Sequence, residues 1–275
     1  MPDESPTERV LDASRHLDQM SVEDALATIH REDRRAYDAV GAVLPDIARA
    51  VDALVCCLGE GGRWFNVGAG TSGRLGVLDA SEVPPTFGMP TQCVQGIIAG
   101  GERALVQAIE GAEDDAAAAE EALGQRELRA GDAVLAISAS GSTPFALGAL
   151  DTAKRVGARR LALTCHPASA LAREAEIAIA PKVGPEVIAG STRMKGGLAQ
   201  KMVLHLLSTV VMVQLGRVEG NLMTNLTPVS AKLARRAVRI LTTLAECDEK
   251  RARELLAAHD GNVADALRAI REESG

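Results

Sequence analysis

Two hydroxyl-rich turns and a handful of carboxylates are the residues of this chain that could do chemistry. The first turn, Gly68-Ala69-Gly70-Thr71-Ser72-Gly73, follows a short apolar run and leads into a helical pattern. Gly68, Gly70 and Gly73 leave room for a ligand to approach the backbone, and Thr71 and Ser72 bring hydroxyls to a helix N-terminus. Unpaired N–H groups and the positive end of the helix dipole make such a place an anion site. The second turn, Ser138-Ala139-Ser140-Gly141-Ser142-Thr143, repeats the theme at another strand-to-helix junction. There Ser138, Ser140 and Thr143 could point at one phosphate while the backbone around Gly141 donates N–H groups. Gly190-Ser191-Thr192 opens a third, long apolar helix, where plain capping is an equal explanation. Such a cradle suits a phosphorylated small molecule.

The acids are less decided by spacing. Glu82 stands a helix length beyond the first turn, two residues ahead of Pro84-Pro85. Pro84 pushes Val83 towards extended geometry, so the spacing predicts a helix end at Glu82. The negative end of the helix dipole disfavours a charge there, which together with partial burial would suit a general acid. A solvated helix-end glutamate is the plainer reading. Glu110, Glu113, Asp114 and Asp115 form an acidic cluster that reads as a solvated face or cap, and spacing cannot pick a base from it. Glu186, after Gly184-Pro185, is either a site carboxylate or a loop charge. Arg193 and Lys195 could neutralise a phosphate but read more simply as exposed helix charges.

Other chemistries fit poorly. Gly68-x-Gly70-x-x-Gly73 has the bare dinucleotide spacing, yet the acid expected about 20 residues on is missing, and Glu102 comes too late. The turn also lacks the lysine ending of a nucleotide P-loop. A net charge of −7 without a basic block, and only 2% aromatics, leave nothing to neutralise or stack a nucleic acid. The five cysteines (Cys56, Cys57, Cys93, Cys165, Cys247) are odd in number without CxxC spacing, so we expect reduced thiols and no metal site. The start MPDESPTERV is polar and has no apolar h-region, so no signal peptide is expected. The most apolar stretch, Met202 to Leu215, is interrupted by His205, Ser208 and Gln214. We expect a cytoplasmic protein with no membrane partner.

The elements that must position these residues alternate. Helices are expected at 21–36 and 46–58, a strand at 64–67, another at 93–99, and one or two helices over 102–122. Strands follow at 133–138, 160–164 and 177–180, with helices at 144–156 and 193–215. Short apolar strands alternating with helices predict a three-layer αβα sandwich on a mainly parallel sheet. Its ligands belong beyond the carboxyl ends of the strands, where both hydroxyl turns lie. Helices at 229–246, 248–258 and 262–272 form a small C-terminal unit, similar to a ubiquitin-associated bundle, with a packing or assembly role. The expected organisation is an N-terminal helical segment (1–45), a sugar-phosphate-binding domain (46–225) and a C-terminal helical unit (226–275).

The stretches VGAGTSGRLGVLDASEVPPTFG, IIAGGERAL with EGAEDD, and GPEVIAGSTRMKGGLAQKMVLH closely resemble the N-acetylmuramic acid 6-phosphate etherase family, which has the sugar isomerase (SIS) fold. The resemblance runs from about Leu17 to Cys247. It implies cleavage of the lactyl ether by elimination across C2 and C3 followed by hydration, without metal or organic cofactor. Glu82 matches the family's proton donor and Glu113 its second catalytic glutamate. Ser138, Ser140, Gly141 and Thr143 match the phosphate loop; Gly70, Thr71 and Ser72 would line the sugar, with Glu186, Ser191 and Thr192 nearby. The family pairs two subunits around shared sites, so a homodimer is expected. Ser142 stands where the family usually has arginine, and His166-Pro167 where Asn-Pro is usual. The alternatives kept open are a sugar-phosphate aldose–ketose isomerase and a non-catalytic sugar-phosphate-binding regulator.

Overall fold

The computed structural model describes residues 6–225, 228 and 231–273. By contacts the chain divides into two units: residues up to Ala80 with Gln92–Ser208, and Ser81–Thr91 with the chain from Thr209 onwards.

The larger unit holds a five-stranded parallel sheet in the order β2-β1-β3-β4-β5. Its strands are β1 (Trp64–Gly68), β2 (Val94–Ile98), β3 (Ala133–Ile137), β4 (Arg159–Leu163) and β5 (Ile177–Ile179). All five residues of both β1 and β3 are buried, as central strands covered on both faces must be. Register aligns Gly68 with Ile98 on one side and with Ile137 on the other, so both hydroxyl turns leave neighbouring strands at the same edge. The chain winds from β1 outwards to β2 and from β3 outwards to β4, which makes the β1/β3 boundary the switch point where such sheets bind ligands.

At the opposite edge the strands are tied by Asp132, which is fully buried. It accepts from Arg63 N (2.9 Å), Arg63 Nη2 (2.6 Å) and Arg129 N (3.1 Å). One sheet face, through Phe65, Val67, Ile97, Val134, Ala136 and Ala162, packs on α4 (Ala116–Gly124), α5 (Pro144–Val156) and α6 (Ala170–Glu174). Towards the other face lie α1 (Val22–Ala42), α2 (Leu44–Gly59) and α3 (Gly70–Phe87), with α3 against Asn66 and Ile137 at Gly76. The parallel sheet with helical layers is the expected three-layer sandwich. The apolar helix is α7 (Lys195–Gln214).

The smaller unit contains the hairpin β6 (Val218–Glu219) and β7 (Leu222–Met223), then α8 (Ala231–Ala245), α9 (Glu249–Ala258) and α10 (Val263–Glu273). The three helices bury Ile240, Leu241, Leu255, Leu256, Val263 and Leu267 around one small core. The start expected at Val229 lies outside the described residues.

Several local expectations are corrected. α1 continues to Ala42, since Val40 is buried and neither Gly nor Pro lies between Ala36 and Val40. Over 102–122 only α4 is α-helical; Glu102–Leu105 and Ala112–Asp114 are single 3-10 turns. α3 does not stop at Glu82 but continues through Pro84-Pro85 to Phe87. Two prolines remove two ladder donors, yet Val83 and Phe87, four residues apart and both buried, hold the last turn down.

Candidate functional site

The first turn is built differently from its sequence reading. A Cβ on Gly73 would lie 2.5 Å from Gly68 O and 2.7 Å from the Ile98 side chain, and one on Gly68 would lie 2.8 Å from Ile137 O. These two glycines therefore serve close packing of α3 onto β1 and β2, correcting the expectation that they make room for a ligand. Gly70 is the open position: its φ is +53° and a Cβ there would meet nothing within 4 Å. Behind it Thr71 and Ser72 are half-buried. Ser72 Oγ donates to Gln200 Oε1 at 3.0 Å.

The second turn is a network of hydroxyls. Ser138 is buried, and its Oγ lies 2.8 Å from Thr143 Oγ1 and 3.3 Å from Ser140 Oγ. Ser138 Oγ also accepts from Gly141 N at 3.0 Å, and Ser142 Oγ donates to Ser140 at 3.0 Å. Gly141 has φ +69°, and a Cβ there would collide with Ser169 Oγ at 2.2 Å, so only glycine closes the turn. Thr143 is the N-cap of α5, but its side chain makes no cap hydrogen bond. The hydroxyls sit at the N-terminus of α5 with the first N–H groups of that helix beside them, which is an anion-binding arrangement.

The third element is the N-terminus of α7. It starts at Lys195, not at Arg193 as expected, because a carboxylate and not the Ser191 or Thr192 hydroxyl caps it. Glu186 is fully buried; its Oε2 accepts from Lys195 N at 3.0 Å and its Oε1 from Gly196 N at 2.8 Å. Burial raises the Glu186 pKa from its ordinary value, opposed by the two backbone hydrogen bonds and the Lys195 charge. Ser191 and Thr192 are half-buried, with Thr192 O accepting from Gly197 N at 2.7 Å.

Lys195 corrects a second expectation. It is buried, and its Nζ lies 2.8 Å from Glu32 Oε2 on α1, whereas Arg193 is exposed. A lysine ahead of two glycines and an apolar run looks like a surface charge in sequence, and its partner lies 163 residues away. Gln200 was missed for the same reason: nothing local marks it as the acceptor for Ser72. Its Nε2 is buried with no partner among the described residues.

The two glutamates are placed on separate elements. Glu82 lies within α3, in the smaller unit, and is exposed. The helix end expected beside it is displaced five residues onward. Glu113 lies in the 3-10 turn Ala112–Asp114 of the larger unit, directly after Gly111 in the left-handed region at φ +74°, and is also exposed. Its neighbour Asp115 is the N-cap of α4, accepting from Ala118 N at 3.0 Å. The loop leading to Glu113 is tethered by Arg74 of α3, which donates to Leu105 O and Gln107 O, both at 3.1 Å. Among the described residues no three His, Cys, Asp or Glu side chains gather as a metal ion would require.

Comparison with known proteins finds the same fold and a family. Residues 46–154 match the description "Glucokinase regulatory protein N-terminal SIS domain", and residues 115–210 match "SIS domain". The chain is 50% identical to an N-acetylmuramic acid 6-phosphate etherase of Jannaschia sp., over 92% of this chain and 80% of that protein. It is 48% identical to the enzyme of that name from Symbiobacterium thermophilum, over 96% and 88% of the two chains. Among solved structures it is similar to a phosphoheptose isomerase from Francisella tularensis, with a TM-score of 0.54 and 21% identity over 70% of this chain and all of that one.

Proposed function

The chain belongs to the N-acetylmuramic acid 6-phosphate etherase family, and from that premise we propose the reaction and its residues. The protein is a carbon–oxygen lyase that cleaves the D-lactyl ether of N-acetylmuramic acid 6-phosphate, giving N-acetylglucosamine 6-phosphate and D-lactate. The observation that carries this reading is the pair of hydroxyl turns on neighbouring strands β1 and β3, backed by α7, in a chain half identical to named etherases.

In this reading the phosphate rests on Ser138, Ser140, Gly141 and Thr143 at the N-terminus of α5, and the sugar lies towards Gly70, Thr71 and Ser72. Ser191 and Thr192 complete the surround, with Glu186 behind them. Glu113 removes the weakly acidic C2 proton as Glu82 protonates the departing lactate oxygen; the C3–O bond breaks and a C2–C3 double bond forms. Water then adds its oxygen to C3 and a proton returns to C2, so the two carboxylates exchange roles. Every proton is accounted for by these two acids and water, and no cofactor is invoked. We further propose a cytoplasmic homodimer whose subunits complete each other's sites. Pairing is supported by an apolar stripe on α1, where Val22, Leu26 and Tyr37 fall within one side of the helix and are 62–72% exposed. The organisation follows the three segments 1–45, 46–225 and 226–275.

The test is lactate release from the 6-phosphate in deuterated water. Wild type should release lactate and place deuterium at C2 of the product, and Glu82→Gln and Glu113→Gln should each lose at least about 100-fold, as expected for general acid–base groups. Near-normal release from both variants ends the assignment of the pair. A wild type that is stabilised thermally by the phosphosugar yet releases nothing is instead a binding regulator.

A further inference from the structure

We propose that Glu186 is a positioning residue for the sugar-phosphate cradle, acting through the first turn of α7 and not on the substrate. The assay rests on the etherase reading; the geometry does not. Both oxygens of this fully buried carboxylate are already committed, at 3.0 Å and 2.8 Å, to the first two N–H groups of the helix. Those N–H groups have no intrahelical acceptor, and a buried donor left without a partner costs far more than the bond gains.

What that helical turn touches gives the clamp its consequence. A Cβ at Gly196 would stand 3.4 Å from Ala139 Cβ, in the second hydroxyl turn, and 3.3 Å from Glu186 Oε1. A Cβ at Gly197 would stand 3.4 Å from Thr71 Cγ2, in the first hydroxyl turn. One turn further on, Gln200 Oε1 accepts a hydrogen bond from Ser72 Oγ. Gly196 and Gln200 are four apart and share a helix face. A single turn of backbone thus backs both halves of the cradle, and it has no side chains at 196 and 197 with which to adjust. Its height is set by Glu186 from the preceding loop and by Lys195 on Glu32. That loop is itself strapped by the N-terminal segment, Ser14 Oγ donating to Val187 O at 2.7 Å and Gly190 N to Thr7 O at 3.0 Å. If the capped turn loosens, Thr71 and Ser72 lose their backing and the spacing between the two turns widens.

The experiment uses the full chain with Glu186→Gln, which keeps the shape but turns one of the two acceptors into a donor facing an N–H. We expect KM for the sugar phosphate and the inhibition constant of inorganic phosphate to rise together, by about tenfold, with kcat within about threefold. We also expect Glu186→Gln to cost much less in a Ser72→Ala background, because both changes loosen one contact surface. A collapse of kcat at unchanged KM would show a direct chemical role and overturn the proposal. So would full additivity with Ser72→Ala. Should Glu186→Gln fail to fold, Glu186→Asp, which draws the cap back by one methylene, is read by the same criteria. Calorimetric phosphate binding by wild type and variant decides the matter even if the wild type releases no lactate, so failure of the etherase reading is seen separately.

Discussion

Replacing Lys195 by methionine separates packing from charge at the helix that backs the cradle. The Lys195 and Glu32 side chains are 0% and 2% exposed, and they meet at 2.8 Å. Removing one partner of such a pair leaves an uncompensated buried charge, at a cost of about 3–5 kcal/mol. Glu32 keeps one other cation, Arg35 Nε at 3.3 Å, which is more than half exposed and compensates in part. Because that cation stays beside Glu32 and offsets part of its charge, the expected loss is near the lower bound, about 3 kcal/mol. At roughly 2–4 °C per kcal/mol for a chain of this size, the melting temperature should fall by about 6–12 °C. The double variant Glu32→Leu with Lys195→Met removes both charges and should recover to within about 1 kcal/mol of wild type, because neither ion then has to be desolvated. Urea unfolding, followed by the fluorescence of the lone Trp64, which sits in the core of the same unit, gives each value. A single variant that loses less than about 1 kcal/mol, or a double variant that loses the sum of the two, refutes the reasoning.

Three further outcomes follow from the structure. Gly73→Ala should destabilise by about 1–3 kcal/mol because its Cβ would meet backbone at 2.5 Å, whereas Gly70→Ala should cost about 1 kcal/mol from its left-handed backbone alone; chemical denaturation ranks the two. Burial pushes the Cys165 thiol up to about 12, and burial, followed by the charge of Asp132, pushes Cys57 up to about 11, so at most three of the five cysteines should react with a thiol reagent near pH 8 until denaturant is added. Because both thiols hold their protons longer folded than unfolded, their contribution to stability is complete below pH 9.0 and is lost as pH rises towards 11–12, which alkaline unfolding curves will show.

The sheet was legible because its strands are short apolar runs between turn signals, and the local pattern carries that information. The two hydroxyl turns were legible for a similar reason: their chemistry and their place after a strand are both contiguous. Helix ends were less so. Pro84 weakens a helix locally, but Val83 and Phe87 are buried in the folded chain, and packing outweighed two missing donors. Gly68 and Gly73 illustrate the limit in another form. Sequence shows that a side chain is missing but not what occupies the space, and here it is the protein's own backbone. Glu186 and Lys195 were ambiguous in sequence because a carboxylate or an ammonium reads identically whether solvated or paired across 163 residues.

α7 shows how such ambiguity resolves. Its 20 residues include an 18-residue window with a mean hydropathy of 1.4, long and apolar enough by composition to cross a membrane, yet 56% of that window is buried within the protein. A helix inside hydrocarbon must satisfy its own polar groups, whereas α7 hands its terminal N–H groups to Glu186, its Lys195 charge to Glu32, and the Gln200 carbonyl to Ser72. Each of these groups is buried, and each has a partner on a different element: the preceding loop, α1 and α3. An apolar helix held by polar contacts is fixed in rotation and height, and α7 has further ones along its length: Ser208 Oγ donates to Asp79 Oδ1 at 3.3 Å, and Lys201 Nζ lies 3.8 Å from that oxygen. The contacts at its N-terminal end are the ones that meet the two hydroxyl turns, through Gly196 near Ala139, Gly197 near Thr71 and Gln200 on Ser72, so a change at this end should reach the cradle as well as the fold.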